Sequence, residues 1–149
     1  MLIKTHLVIS MFFVLLFLPL VENKLVFVVV TLIATYVPDI DSRYSTLGRK
    51  KINRILQIFT KHRGMTHSFT FLITITFFLT LFLPVVAFGF FLGYGLHLLE
   101  DSFTIEGIRP FYPHKSRSRG SIRTGGRLEI IVFVIFVILN LALLSVKIL

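Results

Sequence analysis

From Ser68 to Leu99 the chain carries no aspartate, glutamate, lysine or arginine, and Pro84 stands in the middle of that run. An uncharged stretch longer than roughly 18 residues is long enough to cross a bilayer. As one helix, residues 69–99 would extend about 46 Å at 1.5 Å per residue, well beyond a hydrocarbon core of roughly 30 Å. Proline lacks the N–H that a helix interior needs and collides with the preceding turn. The run is therefore expected to form two short helices meeting near Leu83 and Pro84, a hairpin instead of a rod. Three further apolar stretches cover residues 7–21, 25–37 and 128–146. Together they predict an all-α, polytopic membrane bundle of about five short transmembrane helices. Its 149 residues, too few for two independent cores, form one domain over 1–149. Composition agrees: only 15% of residues are charged, against about 25% in soluble domains. The first stretch ends Leu18-Pro19-Leu20-Val21, which lacks the small residues of a signal-cleavage site and is expected to stay as a helix.

Charge placement supports the hairpin. Sixteen lysines and arginines against seven acidic residues give a net charge of +9, and 14 of the 16 are Lys4 or lie in residues 39–67 and 100–127. A turn near Pro84 puts both basic segments on one side, and the positive-inside rule then makes that side cytoplasmic. The expected location is the cell membrane, with the amino terminus and the site loops in the cytoplasm. The basic excess thus speaks of topology and anionic headgroups. Membrane lipid is the expected partner, and nucleic acid is not expected. The short spans imply tilt or local thinning. Residues 115–126, rich in Ser, Arg and Gly, predict a flexible loop with little apolar surface to bury. There is no cysteine, so any metal must be held by nitrogen and oxygen, which favours zinc, manganese or iron over a thiolate-selected metal.

On this topology the potential ligands fall at one end of the bundle: His6, Asp39 and Asp41, His62 and His67, His97 and Asp101, and Glu129. Only Glu22 stands at the other. His97 and Asp101 are four apart, one turn along a helix face, where they can grip one ion from two sides. Arg63 has the same spacing from His67 and suits a phosphate oxygen pair. An extended Asp39-Ile40-Asp41 would turn both carboxylates the same way. His62, in a basic stretch, and His114, in a polar loop, read as solvated. Glu129 reads as a carboxylate favoured in a first helical turn.

The runs Pro38-Asp39-Ile40-Asp41-Ser42 and His62-Arg63-Gly64-Met65-Thr66-His67-Ser68, then Gly93-Tyr94, His97, Asp101, Thr104 and Gly107, resemble the YdjM-type family. Thr5-His6, Pro110, Pro113 and Leu128-Glu129 fit as well, so the resemblance covers nearly the whole chain. Members are small inner-membrane proteins described as metal-dependent hydrolases. The family is considered similar to zinc-dependent phospholipase C and the single-strand-specific zinc nucleases. That likeness implies one metal held by Asp39 or Asp41, His67, His97 and Asp101, and a second that shares Asp101 and takes His6. A further HxxxE or HxxxD pair of those relatives is missing here.

The function expected is a membrane-bound hydrolase of phosphoric esters, such as phospholipids or lipid phosphates, using one or two divalent ions at the cytoplasmic membrane face. The metal set expected is His6, Asp39, Asp41, His67, His97 and Asp101. Asp39 or Asp41 serves as base or orienter and Arg63 neutralises phosphate charge. Ser42, Thr66 and Ser68 are expected to hydrogen-bond around the site. The alternative is a non-catalytic metal-binding membrane protein, a transporter or sensor.

Overall fold

A computed structural model describes residues 1–41 and 65–148, apart from the side chains of 40, 41 and 148. Among them are five α-helices: α1 (Ile3–Phe17), α2 (Lys24–Tyr36), α3 (Phe69–Phe82), α4 (Pro84–Ser102) and α5 (Arg127–Ile148). Short 3-10 turns, Leu18–Leu20 and Val37–Asp41, follow α1 and α2. No named strand occurs among the described residues, so the all-helical expectation holds. The five-span expectation goes further than these helices do. Among the described residues, only Ile3–Leu20 and Arg127–Lys147 are long and apolar enough to cross a membrane. Helices α2 and α3 have 13 and 14 residues, and α4 gives its last turns to His97, Glu100 and Asp101.

The hairpin forms where proline demands it. Leu83 leaves helical geometry at φ −142°, ψ 60°, closing α3 with a bond from its N–H to Leu79 O, and Pro84 opens α4. Proline is well suited there, because the first helical turn has no use for its missing N–H. At the far end of α3, Ser68 caps the helix by accepting from Phe71 N at 3.2 Å. The two arms pack through Tyr94, whose hydroxyl donates to Thr66 O and whose ring lies near Phe71 and Phe90.

Helices α2 and α4 approach most closely, and glycine is the reason. A Cβ on Gly93 would stand 2.1 Å from Thr31 O, and one on Gly89 would stand 3.2 Å from Phe27 O. Spaced four apart, these glycines open one stripe of α4 to the α2 backbone, the small-residue packing that joins helices where lipid removes the hydrophobic drive. Helix α5 lies along α1, held by Asn140 Nδ2 donating to Val8 O at 2.9 Å and by an edge-to-face pair of Phe12 and Phe136. The buried core, Ala34, Leu72, Tyr94, Leu98 and Ile108, gathers α2, α3, α4 and the loop after α4.

The segment between α4 and α5 departs from expectation. Most of residues 115–126 are exposed, yet they are tied back to the stretch after α4 by bonds between Ile108 and Ser118, 3.0 Å each way, and from Ile122 N to Phe103 O at 3.1 Å. Backbone pairing orders a polar loop without needing a core, which composition does not reveal.

Candidate metal centre

The antiparallel run of the helices brings the start of α1, the end of α2, the start of α3, the end of α4 and the start of α5 to one end of the bundle. His6, on the second turn of α1, is fully buried, as are His67 in the turn before α3 and His97 on α4; Asp101 is 1% exposed. The His6 and His97 rings stack with centroids 4.0 Å apart. His67 meets His97 edge-on at 5.7 Å.

Hydrogen bonding sets the direction of each ring. His97 Nδ1 lies 2.8 Å from Thr35 O. A carbonyl only accepts, so Nδ1 carries the proton and the Nε2 of a neutral ring presents a lone pair. That Nε2 makes no hydrogen bond among the described residues and lies 3.8 Å from Asp39 Oδ1. His6 turns Nδ1 to Glu100 Oε2 at 2.8 Å and Nε2 to Asp101 Oδ1 at 3.4 Å. A lone pair facing a carboxylate oxygen calls for a cation, either a second ring proton or a metal ion. The Met1 amine also meets Asp101 Oδ1.

The donors form two overlapping triads, His6–His97–Asp101 and Asp39–His67–His97, each with its ligand atoms within 4.8 Å of one another. Asp39 Oδ1 is 3.8 Å from both His67 Nε2 and His97 Nε2, and His67 Nε2 is 4.0 Å from Asp101 Oδ2. Tetrahedral zinc, with bonds of about 2.0–2.1 Å, sets its ligand atoms roughly 3.3 Å apart. A contraction of about half an ångström would suit it. The nitrogen and oxygen donors, the protonated Nδ1 of His97 and its outward lone pair therefore fit a divalent ion. Asp101 reaches toward His6 with Oδ1 and toward His67 with Oδ2, so its carboxylate faces both triads. Burial alone would raise the Asp39 carboxyl, but the His67 and His97 imidazoles beside it hold it below the ordinary carboxylate range.

Of the residues singled out in the sequence, His6, Asp39, His67, His97 and Asp101 come together. The extended form of Asp39-Ile40-Asp41 is corrected: Val37–Asp41 is a 3-10 turn. With three residues per turn, positions two apart do not share a face. The carboxylate placed at the cluster is that of Asp39, and the Asp41 side chain lies outside the described residues. So do Ser42, His62 and Arg63. Ser68 caps α3 and Thr66 Oγ1 is 3.4 Å from His67 Nδ1. His114 is exposed, paired with Ser116.

Glu129 does more than favour a helix start. It accepts from Leu2 N at 2.6 Å, Thr5 Oγ1 at 2.8 Å and Gly125 N at 2.6 Å, fastening α1 to α5 beside the cluster. Glu100 was missed in the sequence reading, although its spacing of three from His97 puts it on the same side of α4. The Thr35 carbonyl that orients His97 has no sequence signal, being backbone.

The uncharacterized protein YvsG of Bacillus subtilis (strain 168) is 29% identical over 91 residues, 58% of this chain. The match spans 57% of that relative's length. No solved structure gives a significant match. The YdjM inner membrane protein family matches residues 1–148. A match over essentially the whole length makes this chain a membrane protein, a member of the YdjM inner membrane protein family.

Proposed function

We propose that this protein is a multi-pass, metal-dependent hydrolase of phosphoric esters, such as phospholipids or lipid phosphates, with its site at the cytoplasmic membrane face. The observation that carries the reading is the convergence of three buried histidines with Asp39 and Asp101 from four separate elements. Ionisable groups at membrane depth are costly and are kept where they have partners or a function. One or two divalent ions, zinc foremost, would supply Lewis acidity toward a phosphoryl oxygen and acidify a water toward neutral pH.

The chain's own groups prepare that site. Thr35 O holds the His97 proton on Nδ1, keeping Nε2 as a donor atom. Glu100 orients His6 from the far side of its ring. Asp39 stays ionised beside two histidines and has an oxygen to hold a proton after attack. Burial excludes bulk water from the donors, strengthening each electrostatic contact. The basic residues of the loops attract anionic headgroups to this end.

Metal analysis of the purified full-length protein should find zinc or a similar ion bound, and the loaded protein should release phosphate or a headgroup from some member of a lipid panel. Loaded protein that stays inert across phospholipids and lipid phosphates removes the hydrolase reading. Metal flux in vesicles would then identify the non-catalytic alternative.

A further inference from the structure

The loop after α4 carries a second arrangement of charge. Ile108 and Ser118 exchange hydrogen bonds as an antiparallel pair. In that register Arg109 stands opposite Arg117, and Gly107 opposite Arg119. Side chains alternate along each arm, so these positions share the face opposite to Ile108. Ile108 points into the core and is 1% exposed, which anchors the arm to the bundle. The arms cannot drift apart easily: Gly107 adopts φ +63°, and a Cβ there would stand 2.0 Å from Ser118 O.

The outward face bounds an open cavity of about 420 Å³ lined by Ile105, Glu106, Arg109, Arg117 and Arg119, with the backbone of residues 107–108. Like charges directly across a strand pair repel. Here two arginines occupy facing positions and a third lines the same cavity, and Glu106 is the one acidic residue in the lining. Arg109 Nε is buried and makes no hydrogen bond among the described residues. A buried donor left unmade and three arginines on one cavity lining suit a tetrahedral oxyanion. Phe103, Ile105 and Phe111 are exposed on the same loop, the apolar and cationic mixture suited to the headgroup layer.

We infer that Arg109, Arg117 and Arg119 form a binding site for a phosphate dianion, esterified or free. Three arginines and Glu106 leave two positive charges, and a phosphomonoester carries about −1.5 to −2 at neutral pH. The ligand is either the headgroup of a phosphatidic-acid-type lipid or a free phosphate. The site stands apart from the metal cluster and does not rest on the hydrolase reading.

The full chain in an uncharged detergent is titrated calorimetrically with short-chain phosphatidic acid, inorganic phosphate and short-chain phosphatidylcholine. Phosphatidic acid or phosphate should bind and phosphatidylcholine should not. Tenfold preference for phosphatidic acid identifies the lipid source, and equal binding identifies free phosphate. The double variant R117Q/R119Q, both side chains being exposed, should weaken binding about tenfold or more, and Arg109→Gln should do the same. Arg123→Gln removes equal charge outside the cavity and should change affinity less than twofold. Protein stripped of metal with a chelator should bind with the same affinity, which separates this site from the metal centre. Equal losses for Arg123→Gln and Arg119→Gln, or binding of neither anion, would overturn the inference.

Discussion

The two ends of the bundle are built from opposite materials. At one end His6, His67, His97, Glu100, Asp101 and Glu129 are all buried, each facing a named neighbour. At the other, Leu20 is 78% exposed, Leu25 77% and Phe82 74%, with the Pro84 turn between α3 and α4. In lipid, exposed apolar side chains are in their proper solvent, so that end needs no special geometry. The polar end has no such tolerance, because each unmatched polar group at membrane depth costs free energy. Sequence constraint and structural detail therefore concentrate where the chemistry would be.

Substitutions at the two ends should separate sharply. Asp101→Ala takes away the carboxylate that faces both triads, and bound metal measured by mass spectrometry should fall about a hundredfold in affinity. Glu22→Ala, at the apolar end, should leave metal content unchanged; an equal loss there would dissolve the contrast. Gly93→Ala drives a methyl against Thr31 O, and detergent-phase unfolding should show a loss toward the upper end of roughly 1–3 kcal/mol. Gly95→Ala, whose Cβ would meet nothing closer than 3.4 Å, should fold almost normally. Glu129→Gln weakens three hydrogen bonds to a charged acceptor and should cost about 1–2 kcal/mol in the same unfolding assay. The smallest effect is expected from Phe82→Ala, within about 0.5 kcal/mol, since its ring touches little protein. A large effect there would mean that another protein surface covers this end.

The hairpin was readable in the chain because Pro84 has one physical consequence in an uncharged run. The gathering of His6, Asp39, His67, His97 and Asp101 followed from alternating helix direction, which needs only the number of turns. The close crossing of α2 and α4 was visible in Gly89 and Gly93 but was not read, since their partner, the α2 backbone, is specified by no side chain. The geometry at Asp39-Ile40-Asp41 is not legible in the sequence, because Pro38 is compatible both with an extended segment and with the 3-10 turn that forms over Val37–Asp41. Glu129 was seen as a local helix-start charge. Its acceptance of bonds from Leu2 and Thr5 is long-range and lies beyond any periodic pattern.

Those bonds have a consequence for how the molecule is made. Leu2 and Thr5 reach Glu129 across 127 and 124 positions. At about 5–20 residues per second, roughly 6–25 seconds separate the synthesis of Thr5 from that of its partner. Through that interval the polar start of α1 is unfastened, and His6 lacks Glu100 and Asp101 for most of the same wait. Every donor of the two triads is made by Asp101, before α5 exists. Helix α5 then fastens the start of α1 last, a latch on a centre to which it lends no atom of either triad.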